Sequence, residues 1–529
     1  MKPVDNNTAR IGFFGDKYEF EAYVVTDDMC KIPHFHVCDA LQMGILDTPV
    51  RLDANQYIQH GESTDELQNY ALSLLADFMS QPCRSPHFIN NNEFAVVMWN
   101  MNNEAQLQIK IDKDGRSLFP IIIRQIIIIK TDIVMSKKTV VCEYVGFGHP
   151  DVVANQVSDA LLDEFLIFDP NTRAGIEVMV KDNIVVLGGE VNSRSKIDYD
   201  SVVRRVFASL PYPANHHLSA DEIKVINLIG KQSLEISRGV DREDGIIGAG
   251  DQGWVCAMAS NDTNDYLPLG VHIAKKICQY VAAQTDKGFG PDCKSQVIVV
   301  YDEKGHAKID SILVSTMQQG DLEADRKTIE GIIRFNKMGV DKVEFMKYIN
   351  LTADRPKIIV NPNGEWRIGG SVSDCGMVGR KLAIEFGGYC SIGGGSQNGK
   401  DMSKVDRSAA YMCRYLAKNI VAAGVANTAK VELSYMIGVA QPSSINVELT
   451  GSKYNVDDVT EWIKANVDLS PGGIISRFGG GYPRYFNTAR YGHYGKTDEE
   501  MKDKQTAGLY PWEKTDLTES LFHFLNTKK

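Results

Sequence analysis

Gly393 to Tyr411 reads G-G-G-S-Q-N-G-K-D-M-S-K-V-D-R-S-A-A-Y, and an earlier glycine segment, Gly248 to Gly253, reads G-A-G-D-Q-G. Glycine lets backbone approach a ligand with no Cβ in the way, while the Lys and Asp residues supply both signs of charge at fixed offsets. A polyphosphate with a divalent metal requires that mixture. Neither segment is the P-loop G-x-x-x-x-G-K-[ST], and neither is the dinucleotide fingerprint G-x-G-x-x-G between a strand and a helix. They read as a phosphate site outside the common nucleotide folds, although a glycine cluster taken singly is more often a turn.

The flanking sequence supplies ordered elements. Ser408 to Ala423 is helical in pattern with Gly424 as its stop, and Val431, Leu433, Tyr435, Ile437 and Val439 alternate as a strand does. Far upstream, G-H-P-D at Gly148 is followed by a run in which Val153, Val157, Leu161 and Phe165 recur every four residues, the pattern of an amphipathic helix. Pro150 and Asp151 stand at its start, where a fixed φ is tolerated and an acid faces the positive end of the helix dipole. Two further motifs follow: D-C-K-S-Q-V at Asp292, and I-G-G-S-V-S-D-C-G-M-V-G-R-K from Ile368 to Lys381.

The chain has 529 residues, enough for three or four domains, with 43% hydrophobic and 24% charged content. A net charge of −11 argues against a general nucleic-acid or membrane-surface role. Ten cysteines without a C-x-x-C pair point to a reducing compartment, and hence to the cytoplasm. No secretory leader is read at the start. The most apolar run, Pro120 to Lys130, is too short to span a bilayer and contains Arg124, so a buried strand is expected there. Residues 1–134 form a separate small α+β pattern: F-E-A-Y-V-V and F-A-V-V-M-W read as strands, and Asp65 to Met79 as a helix. His34, His36 and Cys38 would share one strand face, but a structural zinc site wants a fourth ligand, which spacing does not supply. No function is assigned to this extension.

In order and spacing the motifs resemble the S-adenosylmethionine synthetase (methionine adenosyltransferase) family. The resemblance runs from Met135 to about Phe522 and ends with Y-G-H-Y-G at Tyr491 and P-W-E-K-T-D at Pro511. It implies an α+β fold of three similar domains around a pseudo-threefold axis, with segments crossing between domains; the domains would span 135–246, 247–365 and 366–529. Such enzymes join ATP to L-methionine: sulfur attacks C5′ of the ribose, the triphosphate leaves and is then hydrolysed. His149 would lie beside the departing oxygen, and Lys294, Arg380, Lys381 and Lys400 would clamp the polyphosphate. Asp251, Asp292, Trp366, Asp374 and Ser396 complete the implied ATP positions, with Trp366 replacing the phenylalanine that stacks on adenine. Glu190, Gln232, Asp374 and Lys404 match positions around methionine. Asp151 and Asp406 match magnesium-associated carboxylates and Glu177 a potassium ligand, so two Mg2+ and K+ are the expected cofactors. Gln232 to Arg242 corresponds to a mobile lid. A homodimer or dimer of dimers is implied, with active sites at the subunit interface.

The chain also departs from the family pattern. Val152 stands where a lysine usually follows G-H-P-D, and Glu365 where an arginine precedes the aromatic residue. Gln397 and Asn398 replace a Phe-Ser pair, Ile392 a histidine and Glu235 an aspartate, and one residue is missing around Glu385 to Gly388. Weaker ATP affinity is the expected consequence. Two other readings are a catalytically silent partner of a true synthetase and a polyphosphate hydrolase that has lost methionine binding; retention of Glu190, Gln232 and Lys404 weighs against the second.

Overall fold

The computed structural model describes the strands at 8–14, 20–25, 34–39, 48–51, 110–111 and 117–118, and residues 138–213, 218–232, 247–302, 307–338, 356–479, 485–503 and 508–528. The chain divides into two compact units, Met1–Thr131 and Asp132–Lys529. In the first, β1 (Thr8–Phe14), β2 (Phe20–Val25), β3 (His34–Asp39) and β4 (Thr48–Arg51) form an antiparallel meander, and β5 (Lys110–Ile111) pairs with β6 (Ser117–Leu118). The strand expected at F-E-A-Y-V-V is therefore present, and His34, His36 and Cys38 do lie on a strand. The expected strand F-A-V-V-M-W, the helix from Asp65 to Met79 and the isoleucine-rich strand lie outside the described residues.

The second unit repeats one order of elements three times. The first block runs β7 (Lys138–Val145), α1 (Pro150–Phe168), the hairpin β8 (Arg173–Lys181) and β9 (Ile184–Asn192), then α2 (Tyr199–Ala208), β10 (Lys224–Asn227) and β11 (Gly230–Lys231). The second runs β12 (Gly253–Ser260), α3 (Leu269–Ala282), the hairpin β13 (Phe289–Tyr301) and β14 (Ala307–Gln318), then α4 (Leu322–Arg334) and β15 (Lys357–Val360). The third runs β16 (Gly376–Met377), α5 (Val405–Ala422), the hairpin β17 (Thr428–Tyr435) and β18 (Ser444–Thr450), then α6 (Val456–Asn466). Each block hands its first strand to another block's hairpin: β7 pairs with β13, β12 with β17 and β16 with β8, always antiparallel. The sheets are thus β15-β14-β13-β7, β18-β17-β12 and β10-β9-β8-β16, with β11 also beside β9. This cyclic exchange is the crossing of segments expected from the resemblance, and no block completes a sheet alone.

Side-chain alternation gives each sheet one buried face. On β17, Ala429, Val431, Leu433 and Tyr435 point inward under α5, while on β8 Ala174, Ile176, Val178 and Val180 do so under α1. The alternation read from Val431 to Val439 continues past the strand: β17 ends at Tyr435, and Ile437 and Val439 are exposed in the turn that follows. The helix expected from Ser408 begins three residues earlier, and Gly424 takes φ 68° just beyond it, the left-handed stop that glycine permits.

The other departure is α1. Its apolar stripe is where the four-residue period puts it, but its polar stripe is not turned to solvent. Asp151, Asn155 and Asp159 are all buried. They face the third block, and that packing creates the site.

Candidate active site

Polar residues recur along α1 every four positions, and each holds backbone amides of a segment from the third block. Asp151 Oδ1 accepts from Met377 N at 2.8 Å, Asn155 Oδ1 from Gly379 N at 2.9 Å, and Asp159 Oδ1 from Gly399 N at 2.8 Å. Asp163 accepts from Tyr485 N and Phe486 N at 2.9 and 3.0 Å. Asp159 also binds the buried Arg407 guanidinium and takes Asn398 Nδ2 at 2.7 Å, so α1 fixes the segment that the glycine motifs occupy. Sequence reading missed Asn155, Asp159 and Arg407. The signal was there, as polar residues at helical spacing, but spacing does not say what covers a helix face.

At the N-terminus of α1, His149 is the N-cap. Its Nδ1 accepts from Asp151 N at 3.2 Å, which leaves the ring proton on Nε2. Burial, then the Lys381 and Lys294 ammonium groups, lower its pKa to about 3 against the opposing pull of Asp151 and Asp374, so the ring is neutral near pH 7. Asp151 is buried, which disfavours its charge, but Lys381, the Met377 amide and the surrounding cations outweigh this and hold the carboxyl below its usual range. Lys381 Nζ bonds Asp151 Oδ2, and Arg380 Nε stands 3.6 Å from Oδ1. Asp292 is buried beside them; its Oδ2 accepts from Gly370 N at 2.7 Å, its Oδ1 has no partner, and burial pushes its pKa up to about 7. Lys294, exposed on β13, and Asp374, exposed after the turn Gly370–Ser373, face this group electrostatically. Trp366 joins it along the chain: its backbone is clamped to Gln318, and its ring N–H donates to Ile368 O at 2.8 Å, directly before Gly369 and Gly370.

The second group surrounds the start of α5. Lys400 Nζ meets Asp406 Oδ2 at 2.5 Å, and Lys404 Nζ lies 3.5 Å from Asp401 Oδ1. A Cβ at Gly395 would fall 2.2 Å from the Asp406 carboxyl and push it from its present place; Gly253, two residues after Asp251, also packs on Asp406 and Val405. Glu177 on β8 is raised by burial and by Glu190, while Lys400 opposes the shift. Gln232 directly follows β11, whose Gly230 pairs with Glu190, so it belongs on this side; the rest of the expected lid, from residue 233, lies outside the described residues. Ser396 sits against Gly379, which precedes Arg380 and Lys381 of the first group.

Among the described residues no ion pair spans the two groups. Asp151 and Asp159, which anchor the segments carrying them, are eight residues apart on α1, about 12 Å along its axis. The first group offers Lys294, Arg380 and Lys381 to an anion. The second is richer in acids.

The donors fit magnesium in one respect. Asp151 and Asp406 each present hard carboxylate oxygen, and the missing Cβ at Gly395 leaves Asp406 a close approach. No cluster of three or more His, Cys, Asp or Glu side chains able to hold a metal occurs among the described residues. Mg2+ held by one or two carboxylates plus substrate oxygens and water needs no such cage. Glu177, facing Lys400, is a weaker case for K+.

The two departures expected to weaken ATP binding are differently placed. Val152 is buried in α1 and lines a chamber of about 30 Å³ with Asn155, Lys381, Glu385 and His493. Glu365 is exposed and paired with Arg367 at 2.7 Å, so its charge is already matched.

The chain matches the N-terminal, central and C-terminal domains of S-adenosylmethionine synthetase over residues 137–234, 246–366 and 368–506. It is 38% identical over 398 residues to an S-adenosylmethionine synthase of Mycoplasmopsis pulmonis, covering 74% of this chain and 100% of the relative. It is 37% identical over 413 residues to one of Trichodesmium erythraeum, covering 72% of this chain and 95% of the relative. A solved structure described as an unusual S-adenosylmethionine synthetase from Campylobacter jejuni aligns with TM-score 0.62 and 33% identity, over 73% of this chain and 99% of that one. Three consecutive family domains, full-length coverage of relatives and the threefold strand exchange agree: residues 137–506 place this chain in the S-adenosylmethionine synthetase family.

Proposed function

We propose that the two groups are halves of one active site, completed when a second copy of the chain brings its Lys400–Asp406 group against the first copy's His149–Lys381 group. Synthesis of S-adenosylmethionine from ATP and L-methionine is the family's activity, and the separation of the two groups within one chain is the observation that carries this reading of the site. Supporting it, Glu177, Met179, Glu190, Trp254, Lys294 and Met377 lie on the sheet faces turned away from the helices and are exposed. A second copy covering those faces would bury apolar surface beside the charged groups.

Within that site, the neutral His149 ring donates from Nε2 to the C5′ oxygen as the carbon–oxygen bond breaks and negative charge grows there. Lys294, Arg380 and Lys381 receive the triphosphate. Their charge counts most in a pocket that excludes water. Asp374 on one side, and Glu190 with Lys404 on the other, suit the ammonium and carboxylate of methionine. Asp151 and Asp406 would hold magnesium, which neutralises phosphate charge when bound. Trp366 supplies an aromatic face for adenine. The domain limits 135–246, 247–365 and 366–529 and residues 1–134 as an independent extension belong to the same reading.

Mixed dimers test it. His149→Ala and Lys400→Ala proteins, each reduced to a small residual rate alone, should regain activity when co-expressed, because one of the two sites in each mixed dimer is then unaltered. Failure to regain any, with mixed dimers confirmed by mass spectrometry, would place both groups in one chain's site. S-adenosylmethionine formation by residues 135–529 tests the independence of the extension.

A further inference from the structure

Tyr212 lies outside every motif described above, yet its hydroxyl stands where three segments carrying candidate residues meet. It donates to the carbonyl of Gly148, the residue before His149. A Cβ on Gly370 would lie 2.4 Å from the same hydroxyl, and Gly370 takes φ 63°, so glycine is required there to admit it. Gly370 N in turn donates to Asp292 Oδ2 at 2.7 Å, and burial, with the neighbouring Asp292 carboxyl, keeps the phenol protonated as a donor.

The mount is stiff. Tyr212 lies between Pro211 and Pro213, each with φ fixed by its ring, and its amide donates to Leu210 O at 2.8 Å at the end of α2. The Gly146–Gly148 turn also makes backbone bonds from Gly146 N to Cys293 O at 2.8 Å, from Gly148 N to Pro291 O at 3.0 Å and from His149 N to Gly146 O at 3.0 Å, and Gln156 Nε2 donates to Phe147 O at 2.6 Å. The Gly148–His149 peptide plane, from which the His149 ring hangs, is therefore held at its N–H by Gly146 O and at its carbonyl by the Tyr212 phenol. Freeing that carbonyl would leave the plane held at one end only and let Nε2 drift from its place beside the departing oxygen.

We infer that Tyr212 is a positioning residue for His149, acting through its hydroxyl on the Gly148 carbonyl. The inference rests on the role given to His149, so both are measured together. Tyr212→Phe keeps the ring that packs against the core and removes the donor. The expected result is a fall of about tenfold or more in kcat for S-adenosylmethionine formation, with KM for methionine and MgATP within about threefold. Hydrolysis of added tripolyphosphate breaks a bond remote from C5′ and should be spared. In a His149→Ala background the same substitution should cost nothing further, the non-additivity of two residues acting as one. Unchanged kcat, equal loss of synthesis and hydrolysis, or a full additional loss in the His149→Ala background overturns the inference. Undiminished synthesis by His149→Ala alone overturns the role of His149 instead. If Tyr212→Phe fails to fold, 4-fluorophenylalanine at 212 fills the hydroxyl's space without donating and carries the same expectations.

Discussion

The two groups of candidate residues are built on opposite plans. Around His149, Asp151 and Asp292 are buried and serve as anchors, Asp151 held by a backbone amide and two cations and Asp292 by Gly370 N, while Asp374, Lys294 and Arg380 remain exposed. Around Lys400, apart from the buried Asp401, the acids lie nearer solvent: Glu177 and Glu190 are exposed, and Asp406, paired with Lys400, is only partly covered. One half is a preformed receptor for anion, the other for cation. A triphosphate, a metal and a zwitterion need both, and dividing them between two surfaces spares either half from burying all its charge before a partner arrives.

If that contrast is right, the largest loss comes from removing an exposed cation of the first half. Lys294→Ala should lower synthesis by about 10²–10³-fold, the scale of one lost oxyanion contact, and leave the melting temperature unchanged. Near-normal turnover would mean the anion receptor lies elsewhere. On the other half, Asp406→Asn should raise the free Mg2+ needed for half-maximal rate by about 10–100-fold. An unchanged requirement with lost activity would show that Asp406 serves only to hold Lys400.

Asp292 sharpens the contrast by stability. Its pKa rises from 3.8 to about 7 on folding. Between those values the folded chain keeps a proton that the unfolded chain has lost, so this carboxyl makes stability fall as pH rises through the window. Asp292→Asn keeps an acceptor for Gly370 N and removes the penalty; it should raise the melting temperature by about 2–4 °C at pH 8 and by little at pH 4. A gain independent of pH would contradict the assignment.

The smallest effects are expected at the two departures. Val152→Lys places an ammonium beside Lys381 and the unpartnered Glu385 Oε2, and should lower KM for MgATP by about two- to fivefold. Glu365→Arg should change it by less than about twofold, since Arg367 already stands there. The reverse ranking would mean that the surface near Trp366 sets phosphate affinity.

The helices and strands that position the site were legible where one period dominates. The apolar stripe of α1 and the alternation of β17 were read from spacing alone, and the motif order led to the family. The candidate residues were found by resemblance, and the structure sorts most of them into two groups. What spacing could not supply was partnership. Asp151, Asn155 and Asp159 look alike whether they face water or a strap of backbone more than two hundred residues away, because helical periodicity records a face and not what covers it. The end of β17 was overrun for a related reason: Ile437 and Val439 keep the period of two, but Gly438 at φ 75° turns the chain out of the sheet. Tyr212 left no signal, since its importance lies in a carbonyl sixty-four positions away.

The exchange of first strands among the three blocks has a consequence for a chain emerging from the ribosome. The hairpin β8–β9 is complete at Asn192, but the strand that closes its open edge, β16, begins at Gly376. At about 5–20 residues per second that edge waits roughly 10–40 s, and β12 waits comparably for β17. Unpaired strand edges invite pairing with other chains. The nascent protein therefore carries its aggregation hazard through the middle of its synthesis, from Asn192 until β16 and β17 are made, and slowing translation should lower the yield of soluble protein where a simple beads-on-a-string enzyme would gain from it.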